Sequence, residues 1–513
     1  MAGTTSLGER LLRRKPVATL IAETETETGT ETGTGTGTGT GTEGGAARPA
    51  GAPDGGGRSG QHLKRSIGLW QLSAIGIGAT VGTGIFFVLG TAVPEAGPAV
   101  ILAFAIAALT AGLTALCYAE MASAIPVSGS SYSYAYATLG EGAAFGVGVC
   151  LLMEYGVSAS AIAVSWAEYL NKFLDLAFGF RIPAALSAAP GGDGGWFNLP
   201  AVVLVTLVCL LLVRGVSESV EVNAAMVAIK ICILLLFVAV GLTGFHAGNL
   251  TPFMPLGLAG VKVAASSIFF SFIGLDAVST AGEEVKNPRR TLPLAIVVSL
   301  VVVTLLYVGV AVAGVGAQSW TRFDGQEAGL AQILQDVTGQ NWPALVFAVG
   351  AVVSIFSITL VVIYGQTRIL FSMGRDGMLP ERFARLSPRT GTPVWNTLVV
   401  GVGVSTLAAF VPLRVLADIT SLGTLVAFSV VSVGVMILRR TQPDLPRGFR
   451  VPGYPVVPLL SVACCGYLIS GLHADTFRAG AVALVLGAVV YFGYGLRHSR
   501  LNREDGAEPA ASR

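Results

Sequence analysis

Apolar residues along this chain collect into long runs, separated by short stretches that carry most of the charge. Runs of 18 or more apolar residues are long enough to cross a bilayer as helices. Twelve such segments are expected, over residues 67–93, 97–123, 140–173, 197–213, 221–244, 259–282, 290–317, 342–374, 395–412, 415–438, 453–472 and 477–497, the fourth marginal at about 17 residues. The pattern therefore predicts an all-α polytopic membrane protein with about 12 transmembrane helices. Two segments are interrupted. The first contains Gly76-Ile77-Gly78-Ala79-Thr80-Val81-Gly82-Thr83-Gly84, and an interior glycine costs a helix about 1 kcal/mol against alanine. Broken backbone in lipid is tolerated only against protein or a cavity, so the stretch reads as a helix break offering backbone groups to a ligand. Gly78 and Gly82 equally fit a small-xxx-small packing face, and the two readings stand at even odds on these residues alone. The spacing is not GxGxxG, and no strand precedes it.

The sixth segment places Gly274 and then Asp276 inside an apolar run, after Phe269-Phe270-Ser271-Phe272-Ile273. An intramembrane aspartate is costly and normally faces a cavity or a partner. Segments one and six are five apart, and interrupted helices at corresponding places in two halves mark a transport site at a repeat interface. The chemistry follows from the backbone. Free N–H groups of Gly82, Thr83 and Gly84, at the positive end of a half-helix, suit a carboxylate. Carbonyls of Phe270, Ser271 and Ile273, closing a half-helix, suit an ammonium. Together they fit a zwitterionic amino acid, with the geometry of the leucine-transporter fold.

Besides Asp276, two charges deep inside apolar segments invite a functional reading. Lys230, in segment five, either snorkels to the headgroups or stands as a buried cation able to gain and lose a proton. Glu154, in segment three, is too short to snorkel from its depth and is expected to meet a partner or the substrate. Glu120, Glu283 and Glu284 fall near inner helix ends and are expected to pair with Lys286, Arg289, Arg290 and Arg375.

Composition agrees: 53% of residues are apolar and 12% charged, against about 25% charged in soluble domains. With both termini inside, cytoplasmic loops receive Lys64, Arg65, Arg214, Lys286, Arg289, Arg290, Arg375, Arg382, Arg385, Arg389, Arg439, Arg440, Arg447, Arg450, Arg497, Arg500 and Arg503. Outer loops receive mainly Arg181, Arg322, Arg414 and Arg478, so the positive-inside rule favours this orientation, in the plasma membrane. The six cysteines lie in apolar segments without a CxxC pair, and only four histidines occur, so neither a metal site, a cofactor nor a disulfide framework is expected. No Ser/His/Asp set or HExxH motif points to an enzyme, and no partner nucleic acid is expected. Membrane lipid is the expected surrounding.

Residues 1–60, rich in Thr, Gly and Glu, read as a disordered cytoplasmic tail, and no cleavable signal is expected there. Its basic portion, Leu7 to Leu20, reads as solvated or touching an anionic membrane. Segment 124–139, with Tyr132, Tyr134 and Tyr136, reads as an amphipathic piece at the inner interface. The loop 319–338 is expected to form short helices over an outer vestibule.

Several motifs together resemble amino acid permeases of the amino acid–polyamine–organocation superfamily, nearest to the cationic amino acid transporter branch and its bacterial homologues. They are residues 75–86 (IGIGATVGTGIF), 115–136, 154–171, 269–293 (FFSFIGLDAVSTAGEEVKNPRRTLP), 365–380 and the stretch from Pro393 through segment ten. The resemblance spans residues 65–495 and leaves the amino-terminal tail outside. It implies a leucine-transporter-like core of ten helices (65–440) in a five-plus-five inverted repeat with discontinuous helices 1 and 6. Two appended helices (441–497) and a short tail (498–513) follow. It also implies substrate contacts at Thr80, Thr83, Gly84, Phe270, Ser271 and Ile273, a supporting role for Glu154, and Lys230 in place of sodium, giving sodium independence or proton coupling. Leu275 stands where relatives usually carry an aromatic gate, and Ser354-Ile355-Phe356 would face the substrate side chain. The expected activity is secondary transport of L-amino acids by alternating access. A polyamine or organocation permease and a non-transporting amino acid sensor are the alternatives.

Overall fold

The computed structural model describes residues 11–17, 19, 67–82, 84–125, 127, 130–190, 194–215, 220–274, 278, 285–387 and 390–499. Among them the chain is helical, with no strand beyond one isolated bridge between Ile67 and Val285. The helices are α1 (Leu69–Thr80), α2 (Val88–Ala96), α3 (Val100–Ala124), α4 (Ser130–Thr138), α5 (Glu141–Phe178), α6 (Leu199–Val213), α7 (Val220–Thr243) and α8 (Gly257–Ile268). They continue as α9 (Pro288–Ala317), α10 (Gly329–Thr338), α11 (Asn341–Arg375), α12 (Val394–Phe410), α13 (Leu413–Thr441), α14 (Val456–Ile469) and α15 (Ala474–Val490). Seven stretches are long and apolar enough to cross a membrane: Val88–Ala124, Glu141–Phe178, Val222–Thr243, Arg289–Ala317, Asn341–Arg375, Leu413–Thr441 and Ala474–Gly495. Four shorter apolar helices, Leu199–Val213, Gly257–Phe272, Val394–Phe410 and Val456–Ile469, accompany them.

Helix boundaries follow local chemistry. Pro200 opens α6 where its missing N–H costs nothing, and the Asn198 side chain accepts from the Ala201 N–H at 3.2 Å. Gly179 ends α5 at φ 64°, a conformation that glycine adopts without strain. Helix α5 runs through the middle of the bundle, with 89% of its most apolar window buried. Large apolar side chains such as Leu305, Val402 and Val489 point outward, as lipid-facing residues do. Packing is pairwise: α3 lies along α9, α5 along α11 and α6 along α12. Helix α1 rests on α7 and α9, while α8 rests on α3 and α13. Helix α7 also packs on α9 and α11, and α13 on α3 and α5.

Four expectations change at this level. The break in segment one begins only after Thr80; Gly76 and Gly78 lie within α1. They are packing glycines: a Cβ on Gly76 would come within 2.5 Å of Val278, and one on Gly78 within 2.4 Å of Val227. Tyr132, Tyr134 and Tyr136 are buried rather than at the interface, because α4 folds under α5 and α13. Glu120 pairs with Arg439 and Arg447, since α3 ends beside the last turn of α13; Glu283 and Glu284 lie outside the described residues. Residues 11–17 are only partly solvated: Leu12, Arg14 and Pro16 are exposed, while Lys15 and Val17 are buried. The Lys15 ammonium lies 3.5 Å from Asp376, the Glu141 N–H donates to the Arg13 carbonyl at 2.8 Å, and Val17 is buried. The expected short helices of loop 319–338 are present as a turn at Trp320–Arg322 and as α10, which packs on α7 and α11.

Candidate functional site

Helix α1 ends at Thr80, and Val81 turns extended at ψ 109°. Gly82 follows at φ +120°, a backbone state that any side chain would strain. The chain re-enters a helix at α2, where the N–H groups of Phe87 and Val88 donate to the Gly84 carbonyl at 3.0 and 2.9 Å. Both Gly82 and Gly84 are buried, and among the described residues no acceptor takes up either N–H. A buried backbone donor without a partner costs about 1–3 kcal/mol, so such donors normally serve a ligand or water. Thr83, the third donor expected here, lies outside the described residues.

The second break forms from α8. The helix tightens into a 3-10 turn at Phe269–Phe272, Ile273 is extended at ψ 144°, and Gly274 has φ +102°. Leu275 and Asp276 lie outside the described residues. The two breaks cross in direct contact. A Cβ on Gly84 would come within 2.5 Å of the Ser271 hydroxyl and 2.7 Å of the Phe270 ring. A Cβ on Gly274 would come within 2.7 Å of the Ala79 carbonyl. The rings of Phe87 and Phe270 pack at 5.2 Å between centroids. Thus Thr80, Gly82, Gly84, Phe270, Ser271 and Ile273 are brought to one place.

The carbonyls expected to accept from an ammonium are partly engaged. The Ser271 carbonyl accepts from the Tyr307 hydroxyl at 3.0 Å, and the Phe270 carbonyl accepts from the Ile273 N–H at 3.2 Å. The Thr80 hydroxyl turns back to its own helix, donating to the Gly76 carbonyl at 2.9 Å. Tyr307, on α9, was not among the expected site residues. Its hydroxyl lies 2.8 Å from the Thr80 carbonyl as well as beside Ser271, so one proton is shared between the two breaks. A lone tyrosine in the middle of an apolar segment was the available signal.

Lys230 does not snorkel. Only 2% of it is exposed, and its ammonium donates to the Gly78 carbonyl at 3.0 Å, at the negative end of α1. A Cβ on Gly82 would lie 3.6 Å from the same nitrogen, which ties the lysine to the break. Glu154 is 1% exposed and borders a small cavity of about 30 Å³ with Ala79, Tyr155, Ser158, Ile273, Gly274, Ile358, Val361 and Val362. The cavity is walled by aliphatic side chains, Tyr155, Ser158, the Glu154 carboxyl group, the second break at Ile273 and Gly274, and Ala79 in the last turn of α1. By the measure in which one water needs about 10–15 Å³, it has room for two or three waters. Ile355 and Phe356 belong to the same helix, α11, as Ile358.

An aromatic cluster covers the break on the α2 side. Phe86 contacts Tyr169 at 5.9 Å and Phe347 at 6.0 Å, and Phe237 contacts Phe347 at 6.0 Å. The Tyr169 hydroxyl donates to the Phe86 carbonyl at 2.7 Å and so fixes the unwound piece from α5. Among the described residues no group of His, Cys, Asp or Glu side chains is placed to hold a metal ion.

Residues 67–490 match a protein-family profile described as amino acid permease. The Bacillus subtilis branched-chain amino acid permease BcaP is 45% identical over 444 residues, covering 86% of this chain and 95% of that relative. The methylthioribose transporter of the same organism is 41% identical over 444 residues, with the same coverage. The vacuolar cationic amino acid transporter 4 of Arabidopsis thaliana is 36% identical over 389 residues, covering 74% of this chain and 64% of that relative.

Proposed function

The chain belongs to the amino acid permease family, within the amino acid–polyamine–organocation superfamily, and from that membership we propose that it is a secondary transporter of L-amino acids in the plasma membrane. The observation that carries this reading is the crossing of two buried helix breaks, one of which presents N–H groups of Gly82 and Gly84 that find no acceptor among the described residues. These amides, at the positive end of α2, hold the substrate carboxylate, a role that Thr83, between them in the sequence, shares. Backbone oxygens of the second break, at Phe270, Ser271 and Ile273, receive the ammonium. The similar proteins compared are named as transporters rather than enzymes.

Alternating access requires two arrangements of the same site. A cavity of about 30 Å³ is far smaller than an amino acid, so its walls must part for substrate to enter. The packing supports a five-plus-five repeat. Apolar segments five apart pack on each other: the second on the seventh (α3 on α9), the third on the eighth (α5 on α11) and the fourth on the ninth (α6 on α12). The contacts of α1 with α7 and α9 are matched, five segments on, by those of α8 with α13 and α3. A rocking of one set of helices against the other is the motion such a pairing allows. On this reading α14 and α15 are the two appended helices, and both termini are cytoplasmic.

Lys230 replaces sodium. Its charge holds the end of α1 through the Gly78 carbonyl; loss of the proton weakens that hold and frees the break, so transport is sodium independent and proton coupled. The substrate is an aliphatic amino acid, because Ile273, Ile358, Val361 and Val362 line the cavity and because a relative at 45% identity is named a branched-chain amino acid permease. Glu154 in the same wall, with a relative named a cationic amino acid transporter, favours a second reading in which arginine and lysine are carried. Competition against labelled leucine uptake in liposomes separates them. Displacement by isoleucine and valine supports the first; displacement by arginine alone supports the second. Displacement by putrescine or methylthioribose and by no amino acid overturns both.

A further inference from the structure

At the end of α13 away from Arg439 and Arg440, a chain of side chains links four elements. Asp418, on α13 and 2% exposed, accepts from the Ser267 hydroxyl of α8 at 2.7 Å. Its second oxygen lies 2.7 Å from Nδ1 of His473, the residue that precedes α15. Nε2 of the same ring meets Nη2 of Arg414, and the Arg414 guanidinium also donates to Glu95 of α2 at 2.5 Å. A guanidinium has only donors and a carboxylate only acceptors, so Nε2 carries the lone pair and Nδ1 carries the hydrogen. The ring is therefore neutral in this arrangement. Other charged groups nearby are already engaged: Asp475 pairs with Arg478 at 2.9 Å, and Lys262 of α8 donates to the Ser470 carbonyl at 3.1 Å.

We propose that His473 is a proton-binding site on the outer face that regulates closure of the outer side. The proposal rests on the transport reading and on the orientation above. A proton arriving from outside binds Nε2 and removes the lone pair that Arg414 uses. The imidazolium keeps its bond to Asp418, now between opposite charges, and repels Arg414. The guanidinium is left with Glu95, so α13 is tied more firmly to α2, the outer half of the first broken helix. Outer acid thus favours the closed outer side, whereas inner pH does not act here. Imidazole is the side chain suited to this task, since its ordinary charge change falls between about pH 5 and 8.

The test is amino acid exchange in oriented liposomes, with equal substrate on both sides, inner pH fixed and outer pH varied over that window. Wild-type exchange slows as outer pH falls, with an inflection that the His473→Gln protein lacks, because an amide can bridge Asp418 and Arg414 but cannot be protonated there. An unchanged outer-pH profile in His473→Gln overturns the proposal. Ring nitrogen NMR of the wild-type protein in nanodiscs gives a reading that does not depend on transport. The neutral Nδ1–H tautomer at the alkaline end must give way to imidazolium across the window, and a ring that does not titrate there overturns the proposal. Absence of any exchange, with the ring titrating as described, counts instead against the transport reading.

Discussion

A single hydroxyl joins the two broken helices. The Tyr307 proton is shared between the Thr80 and Ser271 carbonyls at 2.8 and 3.0 Å, so either break can be left without it. Tyr307→Phe keeps the ring packed between Phe104 and Phe272 while removing that proton. The loss of a buried hydrogen bond is expected to cost about 1–3 kcal/mol. Uptake should fall while the protein still folds. A thermal melt lowered by a few degrees alongside a much larger loss of turnover is the expected result; equal turnover in the two proteins would remove Tyr307 from the mechanism. Lys230 is the other residue at this scale. With its ammonium on the Gly78 carbonyl, Lys230→Met leaves the end of α1 without a counter-charge. Uptake driven by a pH gradient should lose its dependence on that gradient, measured as initial rates at two outer pH values. A Lys230→Met protein with the full wild-type response would rule out the coupling role.

At the scale of elements, the glycines of the first break separate into two kinds. Gly76 and Gly78 serve close packing within α1, while Gly82 and Gly84 shape the break itself. Gly84→Ala places a methyl group within 2.5–2.9 Å of Ser271 and Phe270, so it pushes the two breaks apart. Overpacking of this sort costs about 1–3 kcal/mol, and lower thermal stability should accompany lost transport. At Gly82 the room is ordinary, with the nearest atoms at 3.6 Å, and only the backbone state resists a side chain. Gly82→Ala is expected to cost on the order of 1–3 kcal/mol through strain and to weaken substrate binding more than it weakens the fold. Substrate affinity and melting temperature measured side by side check this; parallel losses at both glycines would contradict it. The clamp around Glu120 gives a contrasting case. Glu120 accepts from Arg439 at 2.7 Å and from the Val451 N–H at 2.7 Å, which pins the chain after α13 to α3. Removing one partner from a buried pair costs about 3–5 kcal/mol. Glu120→Gln should therefore lower the melting temperature with substrate affinity unchanged.

For the whole molecule, the parts legible in the sequence were those set by local chemistry. Runs of apolar residues marked the spans, and glycines marked where backbone leaves the helix. Lone charges such as Lys230 and Glu154 marked what must find a partner. The meeting of the two breaks was legible from their spacing; the side-chain partnerships between helices were not. Nothing in the order of residues placed the Tyr307 hydroxyl between Thr80 and Ser271, or set Arg439 rather than Arg289 on Glu120, because those distances depend on how helices pack. The same limit applied to α4, whose tyrosines read as interfacial until α5 and α13 cover them. Residues 11–17 read as tail by composition, yet Lys15 and Val17 find Asp376 and an apolar seat on the folded bundle.

The central claim is that the crossed breaks bind an amino acid and carry it across a membrane. Uptake of labelled L-leucine by the purified protein in liposomes, without sodium and under an inward proton gradient, tests it directly. Accumulation that unlabelled isoleucine and valine compete away, and that dissipating the proton gradient abolishes, is the predicted result. Leucine that binds the protein but never enters the liposomes under any gradient would contradict it.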